Sequence, residues 1–432
     1  MKQTVILMKK ISIFAFLTCF LASFQMLKAQ DEQGGNFSVD VQIRPRLEYR
    51  NGYSYPREKD DNASAFISNR ARLGLNFNNG FFSTRVAGQE VSVWGSKKLT
   101  DNAGNFTINE AWGQISKNGF FAKLGRQALH YDDGIIISTA EWNQAGKWHD
   151  ALKAGYENQH NKFHLILAYN QASEKTNSGT FYKGDYPYKN MQTVWYHYDS
   201  DNGFGASVLF MNLGLEAGTA GTGGTPDASK TVYLQTMGTH LTYRTEPFSI
   251  LGAFYYQTGK NQRQKEVSAH LAQLKGGYSF SPKFSLSLGL DHLSGQDPTS
   301  DKVTQIDLMN AGMHKFFGYM DYFSNDRYYG LFDKYATLTW KPMQKLSLEL
   351  SYLHFSSTQL INVNGTEKKN LGSEVDFVLT YPLRKYITLQ AGYSVMFPTE
   401  AMTVYKGGDH TIWQDWGFIT VNINPTLFKT KF

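Results

Sequence analysis

Arg44, Arg46 and Arg50 stand at alternate positions of one segment, Arg70 and Arg72 repeat that spacing in the next, and Arg85 follows in a third. Side chains of an extended chain point alternately to its two faces, so each set shares a face. Eight of the twelve arginines fall before residue 127, which gathers guanidinium groups on one side of whatever these segments enclose. A guanidinium is a rigid fork of donors matched to carboxylate and phosphate. In a narrow wet passage such groups favour anions. The same arginines can instead brace a wall by pairing with Asp40, Glu48, Glu90 and Glu110. Spacing alone leaves both roles open, and Glu90 falls in the apolar phase, which predicts a bulge or an early end in its segment.

Two stretches could narrow such a passage. Residues 130–148 begin with Asp132-Asp133-Gly134 and carry Trp142, Asn143, Gln144 and Lys147. Amides beside exposed aromatic rings suit sugar hydroxyls and sugar faces. Residues 296–332 are too long to be an idle connection.

Other chemistries find no footing. Asp132-Asp133-Gly134 lacks the ligand ladder and closing Glu of a calcium loop. Residues 217–229 are rich in Gly and Thr, yet no Gly-Lys-Ser/Thr follows to cradle a phosphate. The eleven histidines are scattered; His160 and His164 flank a turn. No catalytic residue, cofactor or metal site is assigned, and an enzyme is not expected.

The segments that must position the arginines alternate with period two. Phe284, Leu286, Leu288 and Leu290 interleave with Ser285, Ser287, Gly289 and Asp291, and Val39, Val41 and Ile43 with Asp40, Gln42 and Arg44. Each has one apolar and one polar face. Eighteen strands are predicted, near 37–51, 64–77, 81–94, 105–116, 119–129, 149–157, 162–171, 189–199, 203–213, 231–245, 248–259, 265–280, 283–295, 333–341, 344–357, 371–381, 385–397 and 412–424. Those near 119–129, 149–157 and 231–245 alternate poorly. Every even-numbered strand is followed by a short link, and the odd-numbered ones by longer links, with 260–264 the exception. A closed antiparallel up-and-down β-barrel in an outer membrane has this asymmetry, with short turns on one side and long loops on the other. Most of these strands are longer than the five or six residues usual in a soluble sandwich. They suit the 9–11 that cross hydrocarbon. No apolar run reaches a spanning helix, and a sheet in lipid must close on itself. Trp94, Trp112, Trp340, Tyr381 and Trp413 at strand ends are expected to form interfacial girdles.

The first 29 residues read as a signal peptide: Lys2, Lys9 and Lys10, then the apolar run Ile11 to Phe24, then Ala29 as the cleavage position. Their removal takes four lysines and no acid, so the formal charge falls from +6 to +2. The basicity therefore gives no argument for nucleic acid. Cys19, the single cysteine, leaves too, which excludes thiolate and disulfide chemistry from residues 30–432. Aromatic residues make up 15% and charged residues 19%, an unusual balance for a soluble enzyme. Phe432 resembles the aromatic C-terminus by which outer-membrane barrels are recognised for assembly.

Leu124-Gly125-Arg126-Gln127-Ala128-Leu129-His130-Tyr131-Asp132-Asp133-Gly134 resembles a segment of the alginate-export porin family. Trp142 to Asp150 and His314 to Phe323 are similar to further stretches of it, and the likeness spans 37–432. Arg126, Asp132, Asp133 and Asp150 match the motif. Ile135 to Ile137 depart from it, standing where an arginine would be expected nearby. The resemblance implies an eighteen-stranded monomeric outer-membrane barrel with an arginine-rich, anion-selective pore and periplasmic export partners. The expected function is passive diffusion of an anionic polysaccharide or related anionic solute. The alternative is an uptake porin for small anions or sugars. A surface receptor with a plugged lumen and an outer-membrane hydrolase are the readings from other classes.

Overall fold

The computed structural model describes residues 34–96, 106–177, 179–182, 184–217 and 230–432. The predicted signal peptide and most of 217–229 lie outside them.

Among the described residues, eighteen antiparallel strands form one closed barrel. They are β1 (Asn36–Ile43 and Arg46–Asn51), β2 (Ser64–Asn78), β3 (Phe82–Val93), β4 (Phe106–Lys117), β5 (Phe120–Gln127), β6 (His149–Glu157), β7 (Asn161–Tyr169), β8 (Asn190–Asp199), β9 (Phe204–Glu216), β10 (Thr231–Thr245), β11 (Phe248–Lys260), β12 (Glu266–Ser281), β13 (Phe284–Leu293), β14 (Leu331–Met343), β15 (Leu346–Val363), β16 (Thr366–Arg384), β17 (Ile387–Pro398) and β18 (Gln414–Ile423 and Thr426–Lys431). Each strand pairs with its sequence neighbours, and β1 closes the ring on β18, with Asn36 opposite Lys431 and Asn51 opposite Asp415. Pro45 and Pro425 interrupt these two strands because neither has an N–H for the ladder. Their carbonyls still accept across the seam, from Val421 and Val41 at 3.1 Å each.

The predicted alternation of short and long links holds, with two differences at strand ends. β15 and β16 run past the expected 358–370 loop to a two-residue turn, Asn364-Gly365, both at positive φ (50° and 85°). That is the backbone a tight hairpin needs, and Asn-Gly supplies it. The last strand continues beyond residue 424 to Lys431. A short helix, α1 (Glu400–Lys406), sits in the link before β18.

The outer face carries exposed Val208, Phe210, Leu288, Leu290, Leu350 and Ile419. A ring of such side chains belongs in hydrocarbon. Trp94, Trp340 and Trp413 stand exposed near strand ends, as a girdle requires. Trp112 does not: it faces the lumen, donating to Glu110 (3.0 Å) under the Lys123 ammonium. Nor is β3 itself broken near Glu90. β3 keeps unbroken register with β2 there, and the irregularity is on β4, where Asn109 is the extra residue between the partners of Ala87 and Gly88.

The inside is less watery than a plain channel wall. Leu209, Met211, Leu213 and Leu215 of β9 are buried facing inward, while Val208 and Phe210 face out. This strand is apolar on both faces because the links 128–148 and 294–330 fold into the barrel and pack against it. Ile135, Ile136 and Ile137, the place where the sequence departs from the family pattern, are buried in that packing.

Candidate pore constriction

The arginine face of β1–β3 meets the inward-folded link 128–148. Arg44 donates to the Gln144 amide oxygen (3.0 and 2.9 Å) and to the backbone carbonyls of Glu141 (2.7 Å) and Asn143 (3.2 Å). Arg46 donates to the Trp142 carbonyl (2.7 Å) and to Glu48 (2.8 Å), and its guanidinium lies 3.9 Å over the Trp142 ring. Arg50 holds the other oxygen of Glu48 (2.8 Å) and stacks on Tyr53. Arg70, fully buried, meets Glu141 at 2.8 Å. Arg72 donates twice to Gln89 (3.1 and 2.7 Å). Arg85 is shared by Asp40 (2.7 Å) and Glu110 (2.8 Å). These side chains alternate inward because their strands are pleated, and the tip of the link docks on them through main-chain carbonyls.

The motif residues sit further round the ring. Arg126 of β5 and Asp150 of β6 are direct cross-strand partners and form a two-bonded pair (2.9 and 2.8 Å), with the Tyr186 hydroxyl donating to Asp150 (3.2 Å). Such a pair fixes the strands from which the inward link departs and to which it returns. Asp132 anchors the base of the link, accepting from Trp195 (3.2 Å), Tyr255 (3.3 Å) and Ser207. Asp133 accepts from the Ile135 N–H (3.1 Å), and its carbonyl accepts from Lys315 (2.8 Å). Gly134 turns here at φ 89°, where a Cβ would stand 2.8 Å from His130. The structure thus brings Arg44, Arg70 and Arg72 together around Glu141, with Arg46 on the adjacent Trp142 carbonyl, and leaves Arg126 and Asp150 as a separate pair.

The second link, 294–330, braces the first. Lys147 donates to the carbonyls of Met309 (3.0 Å) and Ala311 (2.8 Å). Burial lowers the affinity of this ammonium for its proton, and the nearby Asp307 partly offsets that. The Trp142 indole stacks on His314, which stacks in turn on Tyr319. His314 shares Asp321 (3.1 Å) with Ser324 (2.6 Å) and the Tyr53 hydroxyl. Burial works against ionisation of Asp321, but the bond and charge from His314 and the bonds from Ser324 and Tyr53 outweigh it, so its carboxyl sits below its usual range. Gly318, at φ 86°, lets the backbone pass Glu374, whose oxygen would be 2.5 Å from a Cβ.

Residues 315–321 therefore border two spaces. One, about 500 Å³, lies toward the long links, among Arg46, Arg50, Tyr53, Trp142, Asn143 and Asp321. The other, of similar volume, lies toward the short turns and is lined by Tyr319, Lys315 and a group of acids on β13–β16. Sequence reasoning missed Glu141, the hub of the arginines, because it lies in a link where no periodicity points a side chain inward. The acids on β13–β16 did carry a signal: Asp291 occupies the polar phase of its strand.

The sequence matches the alginate export family over residues 36–412. No curated protein sequence matches. OccAB1 of Acinetobacter baumannii superposes with a TM-score of 0.61 at 10% identity, covering 93% of this chain and 100% of that one. OccAB4 of the same organism gives 0.58 at 10%, covering 94% and 100%. OccD3 (OpdP) of Pseudomonas aeruginosa gives 0.59 at 10%, covering 91% and 92%. At this identity the likeness is one of fold. The family match runs from the first residue of β1 to the link before β18, and with the lipid-facing closed barrel it establishes that the chain belongs to the alginate export family of outer-membrane β-barrels.

Proposed function

We propose that this barrel is a passive channel that lets an anionic polysaccharide or a related anionic solute cross the outer membrane down its gradient. Family membership supports the class of function, and one observation carries the charge preference: Arg46 and Arg50 line the cleft beside the inward link, and Arg44, Arg70 and Arg72 meet Glu141 of that link. Fixed guanidinium groups lower the cost of bringing carboxylates out of bulk water into a narrow passage. Asn143 and the Trp142 ring on the facing link offer contacts for sugar hydroxyls and a sugar face. Signal-peptide export and a monomeric state complete the reading, with periplasmic partners delivering polymer.

A second reading is uptake of small anions or sugars. The packing of two links into the lumen favours it, since the spaces left are each about 500 Å³, the scale of one small ligand. Planar-bilayer recordings separate the two. Open conductance with anion preference, blocked by a polyuronate chain, supports the first; conductance that only short uronates block supports the second. A correctly folded barrel with no conductance removes both.

A further inference from the structure

The lipid-facing side of the wall changes character near the long links. Along β14 the outward positions run Trp340, Leu338, Ala336, Lys334 and Phe332, from the short turns upward. Lys334 is exposed in this phase, directly opposite the outward-facing Leu290 and His354. His292 of β13 stands opposite Phe332, and His270 of β12 faces the same way, the two imidazoles stacked at 5.2 Å with their planes 6° from parallel. Phe332 joins the group together: its ring lies 6.0 Å from His292 and 4.9 Å from the Lys334 ammonium.

The neighbours place this cluster at a membrane boundary. It is level with Tyr256, opposite His270, and one outward position above Tyr352; their hydroxyls bond to Ser268 and Ser373 at 2.9 Å each. Tyrosines of this kind mark the headgroup level. Short turns belong to the periplasmic side of such a barrel, so this end lies in the outer leaflet. The rim above is low, because the turn 261–265 is short on a side where most links are long, and it exposes Arg263 and Lys265. Apart from Glu266 at the start of β12, no carboxylate stands in the outward phase of β12–β15, and Lys302 takes Glu266 at 3.3 Å. Among the described residues neither Lys334, Arg263 nor Lys265 has a carboxylate partner. A lysine on the lipid face is costly unless its ammonium reaches the interface, and its long stem allows that. The imidazoles set N–H donors beside it. A phosphomonoester brings the missing charge and several acceptor oxygens at once.

We infer that the outward face of β12–β14 is a docking site for a phosphomonoester-bearing lipid of the outer leaflet. Its phosphate lies among Lys334, His292 and His270, and its acyl chains lie on the exposed Leu274, Leu288 and Leu290 below. The full barrel in phosphatidylcholine nanodiscs, titrated with bisphosphorylated lipid A or with the same lipid stripped of both phosphates and read by native mass spectrometry, tests it. The phosphorylated form should bind about tenfold more tightly, the size of one charge-assisted contact. Lys334→Ala should narrow that gap, and so, separately, should His292→Phe, which keeps a ring in the stack and removes its N–H. Lys117→Ala, exposed at the short-turn end of β4, should leave the gap unchanged. Equal binding of the two lipids overturns the site. A gap that survives both Lys334→Ala and His292→Phe overturns it too, as does one that Lys117→Ala narrows as much as Lys334→Ala. The readout is lipid retention and not conductance, so this site and the channel reading fail separately.

Discussion

The Trp142 indole lies flat on the His314 imidazole, ring centroids 3.9 Å apart and planes 10° from parallel. One ring belongs to the link after β5, the other to the link before β14, so this stack is one of the contacts that join the two inward links. His314→Ala removes the stack and the bond to Asp321 together. Single-channel conductance should rise, and switching between levels should become more frequent. An unchanged trace would mean that the bonds from Lys147 to the Met309 and Ala311 carbonyls are enough to hold the links together.

Glu141 is the one carboxylate within ion-pair distance of the buried Arg70 among the described residues. Glu141→Ala strands that guanidinium, whose Nε already has no partner. Leaving a buried charge unpaired should cost about 3 kcal/mol. Denaturant unfolding in vesicles should register it as a lower midpoint. Adding Arg70→Leu should recover part of the loss, because the orphaned charge goes too; a further drop would mean that Arg70 has support beyond Glu141.

Replacing Arg44, Arg46, Arg70 and Arg72 by Ser should weaken anion preference. Reversal potentials across a salt gradient measure it directly. If they stay where they were, these residues only brace the inward link.

Acid should loosen the second link before it unfolds the barrel. Asp321 has its carboxyl held below the ordinary value of 3.8, despite burial, by His314, Ser324 and Tyr53. A carboxylate with a depressed folded-state pKa contributes stability that is complete above the unfolded value and lost as pH falls through the folded one. Conductance recorded as pH drops below 3.8 should therefore become noisier and larger. Asp321→Asn should lose that acid step, and a variant that keeps it would assign the step to another group.

Much of the barrel is legible one strand at a time. Alternation across 284–291 and 39–44 sets which side chains face lipid, and the order of short and long links sets an even, closed meander. The arginine face of β1 and β2 follows from the same rule, as does the inward phase of Asp291. Asn364-Gly365 carried a hairpin signal that the strands on either side obey. The poor alternation near 231–245 was informative as well, since neighbouring strands there pack against folded links instead of water.

Period two says only whether a side chain points in or out, and it is a property of neighbours in sequence. That Arg70 meets Glu141, that Ile135 to Ile137 fill the interior, and that Asp291, Asp333, Glu349 and Asp376 from four consecutive strands border one cavity, depends on ring closure and on two links turning inward. Those contacts join residues far apart in the chain, so no local pattern encodes them. The sequence by itself determined a lipid-facing cylinder with basic residues inside it; the tertiary structure decided what those residues touch and where the lumen is left open.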